Sequence, residues 1–233
     1  MSKAPRLYFS FRSPFSWLLV ERLRREAPES LRALELIPYW EPDASTAAAL
    51  AERGASIRYG AMSKAKHLYI LQDTKRLSTA LGLKMSWPVD VDPWWEPSHL
   101  GWLAARRDGC HHAYYDAVID ARWGRGEDIS QAEVVAEATT AAGLDGNALM
   151  RAAKSGELRA EGVGCLQRAY EDDIFGVPYL ILGWQRFWGV DRLDAFLDAF
   201  HAETRVRAPR VTVPPAVLES AWAYDNDTAG GCG

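Results

Sequence analysis

The chain has no C-x-x-C motif, only two asparagines, and only six lysines among its 27 basic residues. Its three cysteines, Cys110, Cys165 and Cys232, are odd in number and far apart. That excludes a disulfide framework and matches no usual zinc-ligand spacing. Without a paired thiol, a dithiol redox cycle within the chain is excluded as well. No apolar run approaches the ~20 residues of a membrane-spanning helix. The start, Met1 to Arg6, lacks the apolar stretch and small-residue cleavage site of a secretory signal, so the expectation is a cytoplasmic protein with no membrane partner. A net charge of −4 leaves no basic surplus that would call for nucleic acid.

What is present is 233 residues with 48% hydrophobic and 25% charged side chains, enough for one large domain or a domain with a sizeable insertion. Leu7 to Phe11 reads as a first strand, apolar and aromatic. Ser13-Pro14 opens a helix, since serine caps well and proline at the first helical position loses no needed N–H. Pro28 ends that helix, and Leu34 to Pro38 is a second strand, so the crossover favours a parallel pair. Ala-rich stretches of helical periodicity follow: 64–81, 98–107, 113–123, 130–142, 146–154 and 156–171, with Ser98 and Ser130 as expected caps. Trp87 to Trp95 reads as a Pro-containing loop. Strand signals return at 178–183 and 185–188, joined by a tight Gly183-Trp184 turn. Asp191 is the expected cap of a last helix, 192–201, with Leu193, Phe196, Leu197 and Phe200 on one face. The organisation expected is an α/β domain, 1–45 and 172–204, split by an all-helical insertion, 46–171, and followed by a tail, 205–233.

Three motifs carry chemistry. Ser13-Pro14-Phe15-Ser16 follows a strand directly, where a redox relative of the thioredoxin fold would hold C-P-x-C. The unpaired N–H groups and dipole of the helix start stabilise an anion there. The Ser13 hydroxyl either caps the helix or donates to a thiolate brought in by a cosubstrate. Gly176-Val177-Pro178 precedes an apolar strand. It is either a strand-entry proline or a cis-proline turn whose Val177 backbone pairs with a peptide-like ligand. In Phe187-Trp188-Gly189-Val190-Asp191-Arg192-Leu193, Asp191 caps its own helix or accepts an ammonium group. Arg12 and Phe15 flank Ser13 and are the candidate substrate contacts, Arg12 for a carboxylate. Cys110, His111 and His112, with Tyr115 and Asp116, lack a familiar ligand spacing, so no metal is expected. Trp87, Trp94, Trp95 and Trp102 line an aromatic pocket or pack the insertion.

Taken in order, these motifs resemble those of the kappa glutathione transferases and 2-hydroxychromene-2-carboxylate isomerases. The shared pattern is S-P-F/Y-S-W/Y-L after a strand, a helical insertion, G-V/L-P before a strand, and F/W-G-x-D-R-L/M. Lys66 to Asp73 resembles that family's K-x-x-Y-x-x-x-D helix, Asp128-Ile129 its E-D-I turn, and Pro214 to Val217 its closing proline pair. The resemblance spans about residues 7–217 and implies a DsbA-like thioredoxin fold with a helical insertion, often dimeric. It implies that Ser13 hydrogen-bonds a glutathione sulfur. Val177, before Pro178, would pair through its backbone with the cysteinyl unit. Asp191, beside Val190, would bind the γ-glutamyl ammonium, and Lys66 would lie near the glycyl carboxylate. The chain departs from the pattern at three points. No Asn lies between Tyr39 and Lys66. Val190 stands where Ser or Gln is common, and Ser10 where the first strand commonly carries Asp. Glutathione or another low-molecular-weight thiol is therefore the expected cosubstrate.

The activity implied is isomerisation of an aromatic or conjugated carboxylate, with the thiol held at Ser13. The alternatives are a glutathione-independent biosynthetic enzyme on the same fold, a kappa-like transferase, and a non-enzymatic peptide-binding or scaffold protein.

Overall fold

The computed structural model describes residues 4–58 and 62–205. The expected proline pair at 214–215, the tail and Cys232 lie outside the described residues. Four strands, β1 (Arg6–Phe9), β2 (Glu35–Pro38), β3 (Tyr179–Leu182) and β4 (Gln185–Trp188), form one sheet in the order β2-β1-β3-β4. β1 runs parallel to β2, with Leu7 opposite Leu36, and antiparallel to β3, with Leu7 opposite Leu180. Every residue of β1 and β3 is buried. Central strands covered on both faces read as apolar runs, as Leu7 to Phe9 and Tyr179 to Leu182 do, and the buried Arg6 at the start of β1 is paired with Asp172. β3 and β4 are joined by the two-residue turn Gly183-Trp184, with Gly183 at φ +58 and Trp184 87% exposed.

β1 is shorter than the sequence suggests. Ser10 and Phe11 leave the ladder because their N–H groups go elsewhere, to Ser16 Oγ and His99 Nε2. Helix α1 (Pro14–Glu26) follows, with Leu18, Leu19 and Leu23 fully buried, and a short α2 (Pro28–Ala33) starts at the proline that was expected only to stop it. At the far end a 3₁₀ turn, Val190–Arg192, leads into α10 (Leu193–Arg205), which packs on β3 and β4 through Leu193, Phe196 and Phe200. Asp191 does not cap this helix. It sits inside the 3₁₀ turn, its carboxylate paired with Arg192 at 2.8 Å.

Between β2 and β3 lie α3 (Ala44–Glu52), α4 (Lys64–Ala80), α5 (Glu96–Arg107), α6 (His111–Ile119), α7 (Ala132–Ala141), α8 (Gly146–Ala153) and α9 (Gly156–Glu171). α5 is the hub: it packs on α6, α7, α8 and α9, and every residue from Glu96 to Ala105 is buried. Close approach to α6 requires Gly101, since a Cβ there would lie 2.2 Å from the Tyr114 hydroxyl. Two expected caps are corrected. α5 begins before Ser98, which is buried within it and donates to Trp95 O. α7 begins after Ser130, whose N–H bonds Asp128 Oδ1 in a turn of its own. The helix expected over 113–123 instead starts at His111 and widens at Ile119 into a π-helical turn, Asp120–Arg125.

Candidate functional site

Ser13 is the N-cap of α1. Its backbone is extended (φ −87, ψ 115), Pro14 occupies the first helical position, and Ser13 Oγ accepts the Ser16 N–H at 3.2 Å. The first turn of α1 carries no acidic residue, while Arg24 and Arg25 sit in the last turn, so the positive end of the helix dipole is not cancelled locally. The Val177–Pro178 peptide is cis. Ser13 Oγ donates to Val177 O at 3.3 Å, so the two motifs, 164 residues apart, meet. The capping reading of the hydroxyl holds: its oxygen caps the helix, and its proton goes to the cis-proline turn.

The remaining expected residues are less tightly gathered. Arg12 is half-buried, hydrogen-bonds and ion-pairs with Glu41, and lies over the Trp95 ring at 5.7 Å. Phe15 is half-buried against the core. Val190 is buried, and its carbonyl accepts from Arg22 Nη1 at 3.3 Å. The Asp191–Arg192 pair is largely exposed. Lys66 is exposed in the first turn of α4, a helix that packs on α1. Of the four tryptophans, Trp95 and Trp102 are buried in packing, while Trp87 and Trp94 reach solvent. His111 stands edge-on to Trp102 with the His112 ring 4.2 Å away, and burial holds His111 below its ordinary pKa. Among the described residues no three His, Cys, Asp or Glu side chains gather into a ligand set.

Several residues at the site went unread in the sequence. His99 is fully buried on α5. Its Nε2 accepts from Phe11 N–H at 3.3 Å and lies 3.2 Å from Ser10 Oγ, and its Nδ1 donates to Trp95 O at 2.7 Å. Burial pushes its pKa down to about 3, with the Arg122 and Arg12 charges acting in the same direction, so the ring is neutral. Trp123, from the π turn, donates its indole N–H to Phe11 O at 3.2 Å and stacks on Trp17. Arg122, beside it, is buried over Trp95 and Trp123 and grips Asp90 through two hydrogen bonds of 2.9 and 2.8 Å. π-helical turns recur at functional sites. A histidine within an apolar stripe, Trp95, His99, Trp102, Leu103, was the one signal for His99.

No helix among the described residues is long and apolar enough to cross a membrane. The chain is 27% identical over 205 residues to a 2-hydroxychromene-2-carboxylate isomerase of Sphingobium xenophagum, covering 86% of this chain and 98% of that one. It is 27% identical over 191 residues to a protein of the same name from Pseudomonas putida, covering 80% and 88%. A solved 2-hydroxychromene-2-carboxylate isomerase superposes with a TM-score of 0.65 at 25% identity, over 86% of this chain and 96% of that one. A probable DsbA oxidoreductase from Streptomyces coelicolor, 17% identical, shares the fold with a TM-score of 0.64, over 91% of this chain and 94% of that one. The family model for the DSBA-like thioredoxin domain matches residues 6–201, and the chain belongs to that family.

Proposed function

We propose that the protein is an isomerase acting on an aromatic or conjugated carboxylate with the help of a low-molecular-weight thiol held at Ser13. The observation that carries this reading is the Ser13 hydroxyl, seated at an uncancelled helix start and aimed at the cis-proline turn, where a redox relative would place a thiol of its own. The similarity to two proteins named 2-hydroxychromene-2-carboxylate isomerase supports the reaction class. A bound thiolate supplies a nucleophile that adds to a conjugated carbon, lets the former double bond rotate, and leaves again, with nothing oxidised or reduced.

The chain's own groups do the rest. Ser13 Oγ already accepts the Ser16 N–H, so its single proton turns from Val177 O, a long 3.3 Å contact, to the incoming sulfur. The helix start adds its dipole, which lowers the thiol pKa and stabilises negative charge in the transition state. The Val177 backbone pairs with a peptide-like thiol. Arg12, over Trp95, meets the substrate carboxylate at the expense of Glu41, and Phe15 adds apolar contact.

The residues fit a thiolate better than they fit the whole of glutathione. Val190 offers no side-chain donor, and Asp191 is already paired with Arg192. These two facts favour a second reading, a thiol without a γ-glutamyl group. Titration calorimetry with glutathione and with other small thiols separates the two. Failure of every thiol to bind, with unchanged turnover in Ser13→Ala, would overturn both.

A further inference from the structure

We propose that His99 is a positioning residue that sets the place of the Ser13 hydroxyl by holding the turn between β1 and α1. The inference rests on the reading of Ser13 given above. The Phe11 backbone N–H can only donate, so His99 Nε2 is the bare nitrogen and Nδ1 carries the proton that goes to Trp95 O. Ser10 Oγ accepts the Arg12 N–H at 3.3 Å, so its own proton turns to Nε2, 3.2 Å away. One nitrogen thereby fixes two groups of the turn directly and the Arg12 N–H through Ser10.

The turn passes that constraint on to Ser13. The Ser13 N–H donates to Ser10 O at 3.1 Å, and the Ser10 N–H donates to Ser16 Oγ at 3.2 Å. The Ser16 N–H in turn donates to Ser13 Oγ. The imidazole cannot drift, because Trp40 stacks on its face at 5.1 Å and Phe11 meets it edge-on at 5.3 Å. With no exposure to solvent, no water replaces the Nε2 acceptor. The turn therefore takes its position from a helix 88 residues away in sequence.

Two substitutions divide the roles of the ring. His99→Gln keeps an acceptor near the place of Nε2. His99→Asn keeps a donor near Nδ1 and leaves the Phe11 N–H and Ser10 hydroxyl without their partner. Hydrogen exchange of the Phe11 amide is expected to be slow in the parent and in His99→Gln, and at least tenfold faster in His99→Asn, with the Leu7 amide unchanged. Thiol-dependent kcat is expected to fall roughly 10–100-fold in His99→Asn at nearly constant KM, and to recover in His99→Gln. Unchanged Phe11 exchange in His99→Asn would overturn the proposal, as would equal loss of rate in both variants alongside equal loss of melting temperature. The expected exchange pattern with unaltered turnover would uphold the positioning and sink the reading of Ser13. Nitrogen NMR of the unmodified protein tests the same point without any substitution: a protonated Nε2 between about pH 5 and 8 overturns it.

Discussion

The two walls against helix α1 and the turn that precedes it are built differently. On one side, Val177 comes from a loop and Val190 and Asp191 from a 3₁₀ turn; Arg22, on Val190 O, Arg192, on Asp191, and Asp194, which pairs with Arg22, all reach solvent. On the other, His99, Trp95, Arg122 and Trp123 are buried and packed against one another; both His99 nitrogens, both terminal nitrogens of Arg122 and the Trp123 indole N–H are hydrogen-bonded, while the Trp95 indole N–H and Arg122 Nε have no partner among the described residues. Exposed ion pairs contribute little and rearrange readily, whereas buried polar networks are costly to disturb. The buried wall therefore holds the β1–α1 turn, and the hydrated wall can change at less cost to the fold.

Ser13→Ala acts where the walls meet and carries the largest expected effect. Turnover falls roughly 10²–10³-fold through loss of the donor to sulfur, while the lost cap costs only about 1 kcal/mol of stability. Kinetics beside a thermal melt would show the split, and a pure loss of stability would return Ser13 to a structural role. On the buried wall, Asp90→Ala leaves the Arg122 guanidinium without its carboxylate. Asp90 is itself partly hydrated, so we expect ~2–3 kcal/mol in urea unfolding; a cost near zero would erase the contrast. Trp123→Phe keeps an aromatic ring but removes the N–H from Phe11 O and part of the stack on Trp17, for which roughly 2–3 kcal/mol is expected together. On the hydrated wall the changes are smaller and concern affinity. Val190→Ser is expected to tighten glutathione binding by up to about tenfold if the γ-glutamyl pocket is otherwise intact. Arg192→Ala, by releasing Asp191, is expected to tighten it a few-fold at low salt and less at high salt. Undetectable glutathione binding in the Val190→Ser variant, with another thiol bound, would favour the second reading of the site.

The frame was legible where the signal was local. Serine before proline after an apolar strand, G-V-P before a second apolar run, and glycine between two short strands each have one physical reading within a few residues. The meeting of Ser13 with Val177 followed from the resemblance, not from either tripeptide alone. Capping was misread at Ser98 and Ser130 because a serine near a helix start has the same appearance whether its hydroxyl faces the first turn or the core. Asp191 was misread for a related reason: Gly189 at φ +93 allows a 3₁₀ turn that moves the true helix start to Leu193. His99, Arg122 and Trp123 were illegible because each owes its role to a partner 32 to 112 residues distant, and no window of sequence holds both.

The three indoles that lead away from the Phe11 carbonyl carry one more consequence. Trp123 and Trp17 lie parallel within 5°, centroids 6.1 Å apart, and Trp87 meets Trp123 edge-on at 5.5 Å before reaching solvent. Chromophores at such separations couple their electronic transitions, so the near-ultraviolet circular dichroism of this group depends on their mutual angles. Because the Trp123 N–H is tied to the Phe11 carbonyl, a displacement of the β1–α1 turn that carried Trp123 with it would change the angle between the rings. On the reading proposed for Ser13, the near-ultraviolet signal of the unlabelled protein is expected to change when a thiol binds.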